Sequence, residues 1–82
     1  MSVEEWSLEW ELFAGYQTIN LDQCLKDWPV VFELYCTSAK LIMRKKYYST
    51  PLYVPITDLP RGEYYYRIYQ RKETIQKGSF EI

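Results

Sequence analysis

The last third of the chain limits the fold most strongly, because a turn and two strand patterns follow one another directly. Residues 58–62 contain Pro and Gly in the arrangement of a tight turn. The side chains that follow alternate between two faces, an inner set of Tyr64, Tyr66 and Ile68 and an outer set of Tyr65, Arg67, Tyr69 and Arg71. A predicted turn at 72–74, a predicted bulge at Gly78 and inward Phe80 and Ile82 complete the pattern. This succession predicts the closing hairpin of a small β-sandwich.

The preceding residues show the same two-residue period. Residues 30–37 are predicted to form a core strand, with inward side chains at Val30, Phe32, Leu34 and Cys36. Further strands are predicted at 17–21, 41–48 and 52–57, and Pro55 places the last of these at a sheet edge or with its nitrogen facing outward. The chain of 82 residues is therefore predicted to be a single domain, 1–82.

The N-terminal residues have an alternating pattern of their own. Trp6, Leu8, Trp10 and Leu12 alternate with polar residues that include Glu9 and Glu11, which predicts a half-buried strand with an acidic outer face. Glutamate also favours helix, but the strict alternation and the tryptophans favour a strand. This strand either completes the domain or swaps into a neighbouring copy. With it, the sequence predicts an all-β fold, an antiparallel immunoglobulin-like β-sandwich of about seven strands.

The residues that usually carry catalysis or bind metals are scarce. The chain has no histidine, and the spacing of Cys24 and Cys36 fits no zinc motif. We expect both thiols to be reduced and mostly buried. The acidic residues near the N-terminus are more consistent with a solvated strand face than with a pair of catalytic carboxylates. The sequence therefore predicts no enzyme activity, no cofactor and no metal site.

The N-terminal sequence shows no targeting signal. Residues 1–6 have neither the basic nor the apolar part of a secretory signal, and no apolar run approaches the ~20 residues of a membrane span. If Met1 is the natural start, we expect synthesis in the cytoplasm without export by the usual route and no membrane partner.

Charge is unevenly distributed along the sequence. Residues 1–39 carry seven acidic and one basic residue, a net charge of −6, whereas residues 40–82 carry nine basic and four acidic residues, a net of +5. One interpretation is that acidic and basic strands lie side by side in one sheet. The other is self-association, in which the acidic part of one subunit meets the basic part of the next.

The candidate binding residues form an aromatic and cationic set. Tyrosine and arginine are enriched in interface hot spots, so we predict an interface that contains Tyr65, Arg67, Tyr69, Arg44, Lys45 and Lys46, with Glu9 and Glu11 as its acidic counterpart. Ordinary cross-strand pairing of tyrosine and arginine is the structural alternative. Binding of single-stranded nucleic acid by a small β-barrel is a functional alternative. Nucleic-acid-binding domains are usually basic, however, and this chain has a net charge of −1 and a pI near 5.4.

The turn and the two closing strands also carry a family resemblance. Leu59-Pro60-Arg61-Gly62-Glu63-Tyr64, followed by Gly78-Ser79-Phe80-Glu81-Ile82, resembles the C-terminal half of small immunoglobulin-like modules of secreted bacterial proteins, including type IX secretion C-terminal sorting domains. The resemblance covers residues 52–82 well and 30–48 loosely. It implies a tyrosine that returns toward its own turn, in the manner of a tyrosine corner, and it implies no chemistry.

The resemblance suggests a role in a larger structure. Family members usually follow a signal peptide or end a large protein. If Met1 is the natural start, we expect this chain to be the module alone, the format of auxiliary or decoration proteins of tailed-phage capsids. We therefore expect a non-enzymatic protein that docks on a protein assembly, with a tailed-phage capsid in the virion as the specific prediction. The alternatives are an accessory β-domain of a bacterial surface or secretion system and, third, a binder of single-stranded nucleic acid.

Overall fold

The computed structural model describes residues 15–82. Within this part of the chain there are six β-strands and no helix. The strands are β1 (Tyr16–Ile19), β2 (Val30–Cys36), β3 (Leu41–Tyr47), β4 (Leu52–Pro55), β5 (Glu63–Gln70) and β6 (Glu73–Glu81). The prediction of an all-β fold is confirmed. The predicted strand at 6–12, with Glu9 and Glu11, lies outside the described residues.

The strands form two antiparallel sheets. One sheet has two strands, β1 and β4, and the other has four, in the order β3-β2-β5-β6. The hairpin of β2 and β3 lies between β1 and β4 in sequence, so the chain passes from the small sheet to the large one and back. Pro55 lies at the end of β4, which within residues 15–82 pairs with β1 alone and is therefore an edge strand. This placement agrees with the expectation that a strand carrying proline lies at an edge.

A single apolar core joins the two sheets. The buried side chains are Ile19, Leu52 and Val54 from the small sheet and Val30, Phe32, Leu34, Tyr64 and Ile68 from the large one. Aromatic rings extend the core, since the ring of Phe32 stacks on Tyr66 at 5.7 Å and meets the edge of Tyr47 at 6.1 Å between centroids. The predicted inner faces of the strands at 30–37 and 64–69 are therefore correct.

Polar side chains also connect the sheets. The Tyr47 hydroxyl on β3 donates to the carbonyl of Tyr53 on β4 at 2.9 Å. The Gln76 amide group donates to the carbonyl of Asn20, and its oxygen accepts from the N–H of Asp22, so β6 holds the segment after β1. Burial, with a smaller contribution from Tyr16, raises the pKa of Tyr47 to about 12, so this donor keeps its proton far above neutral pH.

The turn before β5 closes on its own tyrosine. The Tyr64 hydroxyl donates to the carbonyl of Pro60 at 2.6 Å. Reciprocal backbone hydrogen bonds between Gly62 and Ile82 fasten the end of the chain to the same turn. The expected return of this tyrosine toward its turn is thus observed, because the buried ring needs a partner for its hydroxyl.

Three details of the last hairpin were predicted wrongly. The turn is formed by Arg71 and Lys72, both with positive φ (52° and 69°), and not by residues 72–74, so Arg71 does not lie on the outer face of the strand. The bulge is at Ile75 and not at Gly78: Ile68 pairs with Gln76, and the next residue, Tyr69, pairs with Thr74.

Gly78 has a packing role in this hairpin. It pairs regularly with Tyr66 across the ladder, and a Cβ atom at Gly78 would come within 2.5 Å of the Tyr66 hydroxyl. The missing side chain therefore makes room for the tyrosine ring that stacks on Phe32.

Candidate functional site

The side of the four-stranded sheet that faces away from the core is here called the outer face. Its side chains form cross-strand rows, because residues paired in register point the same way. The first row is Leu41, Tyr35, Tyr65 and Ser79, the second is Arg44, Glu33, Arg67 and Lys77, and the third is Lys46, Val31, Tyr69 and Thr74. The face combines aromatic, cationic and acidic groups on a regular backbone.

A buried carboxylate lies at the middle of the outer face. Glu33 is only 3% exposed, although no further layer of the described chain covers it. Its Oε1 accepts a hydrogen bond from the Tyr35 hydroxyl at 2.7 Å, and its Oε2 accepts from Nε and Nη2 of Arg44 at 2.9 and 2.7 Å. The Tyr69 hydroxyl lies 3.4 Å from Oε2, and Nη1 of Arg67 lies 3.7 Å from Oε1. The long side chains of three strands thus enclose one acid.

These partners set the ionisation of the carboxylate. Burial opposes the charged form of Glu33, but the hydrogen bonds from Tyr35 and Arg44, with the charges of Arg44 and Arg67, outweigh it and hold the pKa below its ordinary value. The bond to the carboxylate, aided by burial, raises the pKa of Tyr35. Glu33 is therefore ionised at neutral pH. Its oxygens already accept these bonds, which suits a structural role better than proton transfer.

Arg67 is held in place from two further directions. Its Nε donates to the Thr74 hydroxyl at 2.7 Å, and its guanidinium carbon lies 4.5 Å from the centre of the Tyr69 ring. The bulge at Ile75 puts Thr74 opposite Tyr69, which brings the threonine hydroxyl within reach. The Arg67 side chain still keeps 37% of its surface exposed, and Arg44 keeps 59%. Both arginines therefore have defined polar partners and remain partly exposed.

Most of the predicted interface residues come together on this face. Tyr65, Arg67, Tyr69, Arg44 and Lys46 lie within its three rows. Lys45 does not, because strand alternation turns it to the opposite side, where its ammonium lies 5.3 Å from the centre of the Tyr47 ring.

Sequence reasoning missed the residue that organises the site. The inward positions predicted for Phe32 and Leu34 turn Glu33 to the other face, but Glu33 was not among the predicted site residues. An acid between Phe32 and Leu34 in an apolar strand was the available signal, since a buried acid needs partners.

Between residues 15 and 82 no group of three or more His, Cys, Asp or Glu side chains could hold a metal ion. Both cysteines are free; Cys36 is half-buried beside the core, but Cys24 is exposed, so the expectation that both thiols are buried is wrong for Cys24. A hydrogen bond with Ser38 lowers the pKa of the Cys36 thiol, with Sγ and Oγ 2.9 Å apart. None of the described residues forms a helix long and apolar enough to cross a membrane.

Comparison with known proteins gives no relative on which to base an assignment. No protein-family model, no curated protein and no solved structure matches the chain.

Proposed function

We propose that this protein is a non-enzymatic binding module that docks on another protein through its outer face. The observation that carries this proposal is the ordered cluster of Tyr35, Arg44, Arg67 and Tyr69 around the buried carboxylate of Glu33. In this cluster the hydrogen bonds and ion pairs to Glu33 fix the positions of aromatic and guanidinium groups at the surface, where a partner protein can contact them.

Order in the unbound protein favours binding. Immobilising a long side chain at an interface costs about 0.5–1.5 kcal/mol. A side chain that already makes hydrogen bonds within its own protein loses less conformational freedom when the partner binds. Arg44 and Arg67 are held through Glu33, and Arg67 also through Thr74. Exposed apolar surface lies in the neighbouring row, where Leu41 is 43% and Tyr65 is 44% exposed. Aromatic and guanidinium groups around an apolar contact are the usual composition of an interface hot spot.

The fold and setting that we propose are more specific. We propose an immunoglobulin-like β-sandwich that attaches to a multi-subunit assembly as an auxiliary protein of a tailed-phage capsid. The hydrogen bond from Tyr64 to Pro60, with the resemblance of residues 52–82, supports the immunoglobulin-like part. The capsid setting depends on a fold-level analogy with stand-alone modules of this kind. Attachment at many equivalent sites would strengthen a modest interface by avidity. A role as an accessory domain of a bacterial surface or secretion system is the second proposal on the same resemblance.

Site-specific photo-crosslinking tests whether the outer face docks a protein. A photoreactive phenylalanine analogue replaces Tyr65 on the outer face in one variant and Tyr53 on β4 in a matched control, since these tyrosines are 44% and 49% exposed. Each variant is produced in the organism from which the protein comes and is irradiated there. Mass spectrometry then identifies the peptide of the partner protein that is crosslinked to it. The captured protein is then purified, and the complex is formed again from the two pure components.

We expect the Tyr65 variant to crosslink to one protein, and we expect that protein, once purified, to bind the purified natural chain. The Tyr53 variant should not crosslink to it. Equal capture at both positions would contradict docking through the outer face. So would a purified partner whose affinity is unchanged when Arg67 is replaced by Glu.

A further inference from the structure

We infer that the segment bound by the outer face is rich in carboxylates; this inference depends on the proposed docking function and adds the chemistry of the partner. The three rows of the face carry the cations Arg44, Lys46, Arg67 and Lys77 and a single acid, Glu33. The acid is buried and already accepts hydrogen bonds. The charge that the three rows present to a partner is therefore positive.

Two of these cations have no acidic partner in the described chain. Lys46 and Lys77 are exposed and form no ion pair with any residue between 15 and 82, unlike Arg44, Arg67 and Arg71. The two arginines beside Glu33 also keep exposed surface. Charge complementarity at an interface requires acidic groups opposite such cations.

The spacing of the cations suits a short segment of protein. Arg44 and Arg67 lie on β3 and β5, on either side of β2, so their backbones are about 10 Å apart, and successive rows are about 7 Å apart along a strand. The apolar row with Leu41 and Tyr65 runs beside the cations. In an extended segment every second side chain faces the sheet, at a spacing close to that of the rows. A segment whose sheet-facing residues include both carboxylates and apolar side chains would satisfy both rows.

Nucleic acid fits this surface less well. A further row, Glu63 opposite Glu81, places two acids at the end of the face beyond Tyr65 and Ser79. A single strand needs cations along several successive phosphates, with site sizes of about 4–16 nucleotides in small β-barrels. The acidic pair interrupts such a path.

Nuclear magnetic resonance of the ¹⁵N-labelled full chain tests the inference. The probes are a short capped peptide in which every second residue is in turn Glu and Leu, with Ser between them, the same peptide with Gln in place of Glu, and oligo-dT of similar length. The test variant combines Lys46→Glu and Lys77→Glu. The control combines Lys45→Glu and Lys72→Glu, which changes the net charge equally but alters the opposite face and the turn.

We expect the Glu peptide to shift the amide signals of the outer face and the Gln peptide to leave them nearly unchanged. The test variant should bind the Glu peptide at least about tenfold more weakly, because each reversal adds like-charge repulsion, and the control should bind nearly as the natural chain does.

The other outcomes separate the two proposals. Equal binding of both peptides on the outer face would overturn the carboxylate inference and leave docking intact. Failure of the Glu peptide to bind would also overturn the inference, while the crosslinking at Tyr65 decides on docking independently. Tighter binding of oligo-dT at the same residues would overturn both proposals and assign the face to nucleic acid.

Discussion

Phe32 and Glu33 are neighbours on the central strand β2, both are buried, and they are buried in different ways. Phe32 is 0% exposed because the second sheet covers the inner face. Glu33 is 3% exposed because arginine and tyrosine side chains from its own strand and the two flanking strands fold over it. Among the described residues, one face is thus closed by another layer of backbone and the other by side chains. A face closed by side chains keeps part of their surface exposed, as Arg44 and Arg67 show.

Removing the Phe32 ring should give the largest loss of stability. The Phe32→Ala variant leaves a cavity between the sheets and removes the contacts with Tyr47 and Tyr66. Replacements of this kind cost about 3–5 kcal/mol. Urea unfolding followed by circular dichroism measures the change. A loss below about 1 kcal/mol would show that the inner face is not the packed face.

Replacing the buried carboxylate should cost less and act on the other face. Glu33→Gln removes the charge that holds Arg44 and Arg67, and a hydrogen bond to a charged group contributes about 1.5–3 kcal/mol. The same unfolding experiment measures it. Glu63→Gln, which changes the same residue type at an exposed position of the outer face, is the matched control and should have little effect.

The contribution of Glu33 should depend on pH. Its pKa is lowered in the folded protein, so its stabilisation is complete above the ordinary value of 4.5 and is lost as the pH falls through the lower folded value. The free energies of unfolding of the natural chain and of Glu33→Gln should therefore differ at neutral pH and converge in acid. A difference that stays constant across this range would contradict an ionised Glu33.

The smallest effect concerns a single hydrogen bond at the end of the core. Tyr64→Phe keeps the buried ring and removes the donor to Pro60, at a cost of about 0.5–1.5 kcal/mol. Tyr65→Phe, one residue further on the outer face and 44% exposed, should change stability very little. Similar losses in the two variants would mean that the two faces of β5 contribute alike.

The strands and their inner faces were predictable from the two-residue period, because burial of every second side chain leaves a direct trace in the sequence. The turn at Arg71 and Lys72 was not, since neither residue type marks a turn that needs positive φ. The residue types around Ile75 did not predict a bulge there either.

The candidate site was predicted in part. Alternation placed Tyr65, Arg67 and Tyr69 together, but it could not show that Glu33 would join them to Arg44. That contact depends on the register between β2 and its two neighbours, which is a property of pairs of strands and not of one strand.

The cations of β3 have one more consequence, which concerns solubility. Within residues 15–82, β3 is an edge strand of the large sheet, with exposed Leu41 and Ile42 followed by Arg44, Lys45 and Lys46. Charged side chains on an edge discourage the strand of another molecule from extending the sheet into an aggregate. Neutral substitutions that remove positive charge from β3 would therefore also unblock this edge, and precipitation could be mistaken for a change in binding. Charge reversal keeps the edge protected, which makes it the better way to probe the surface.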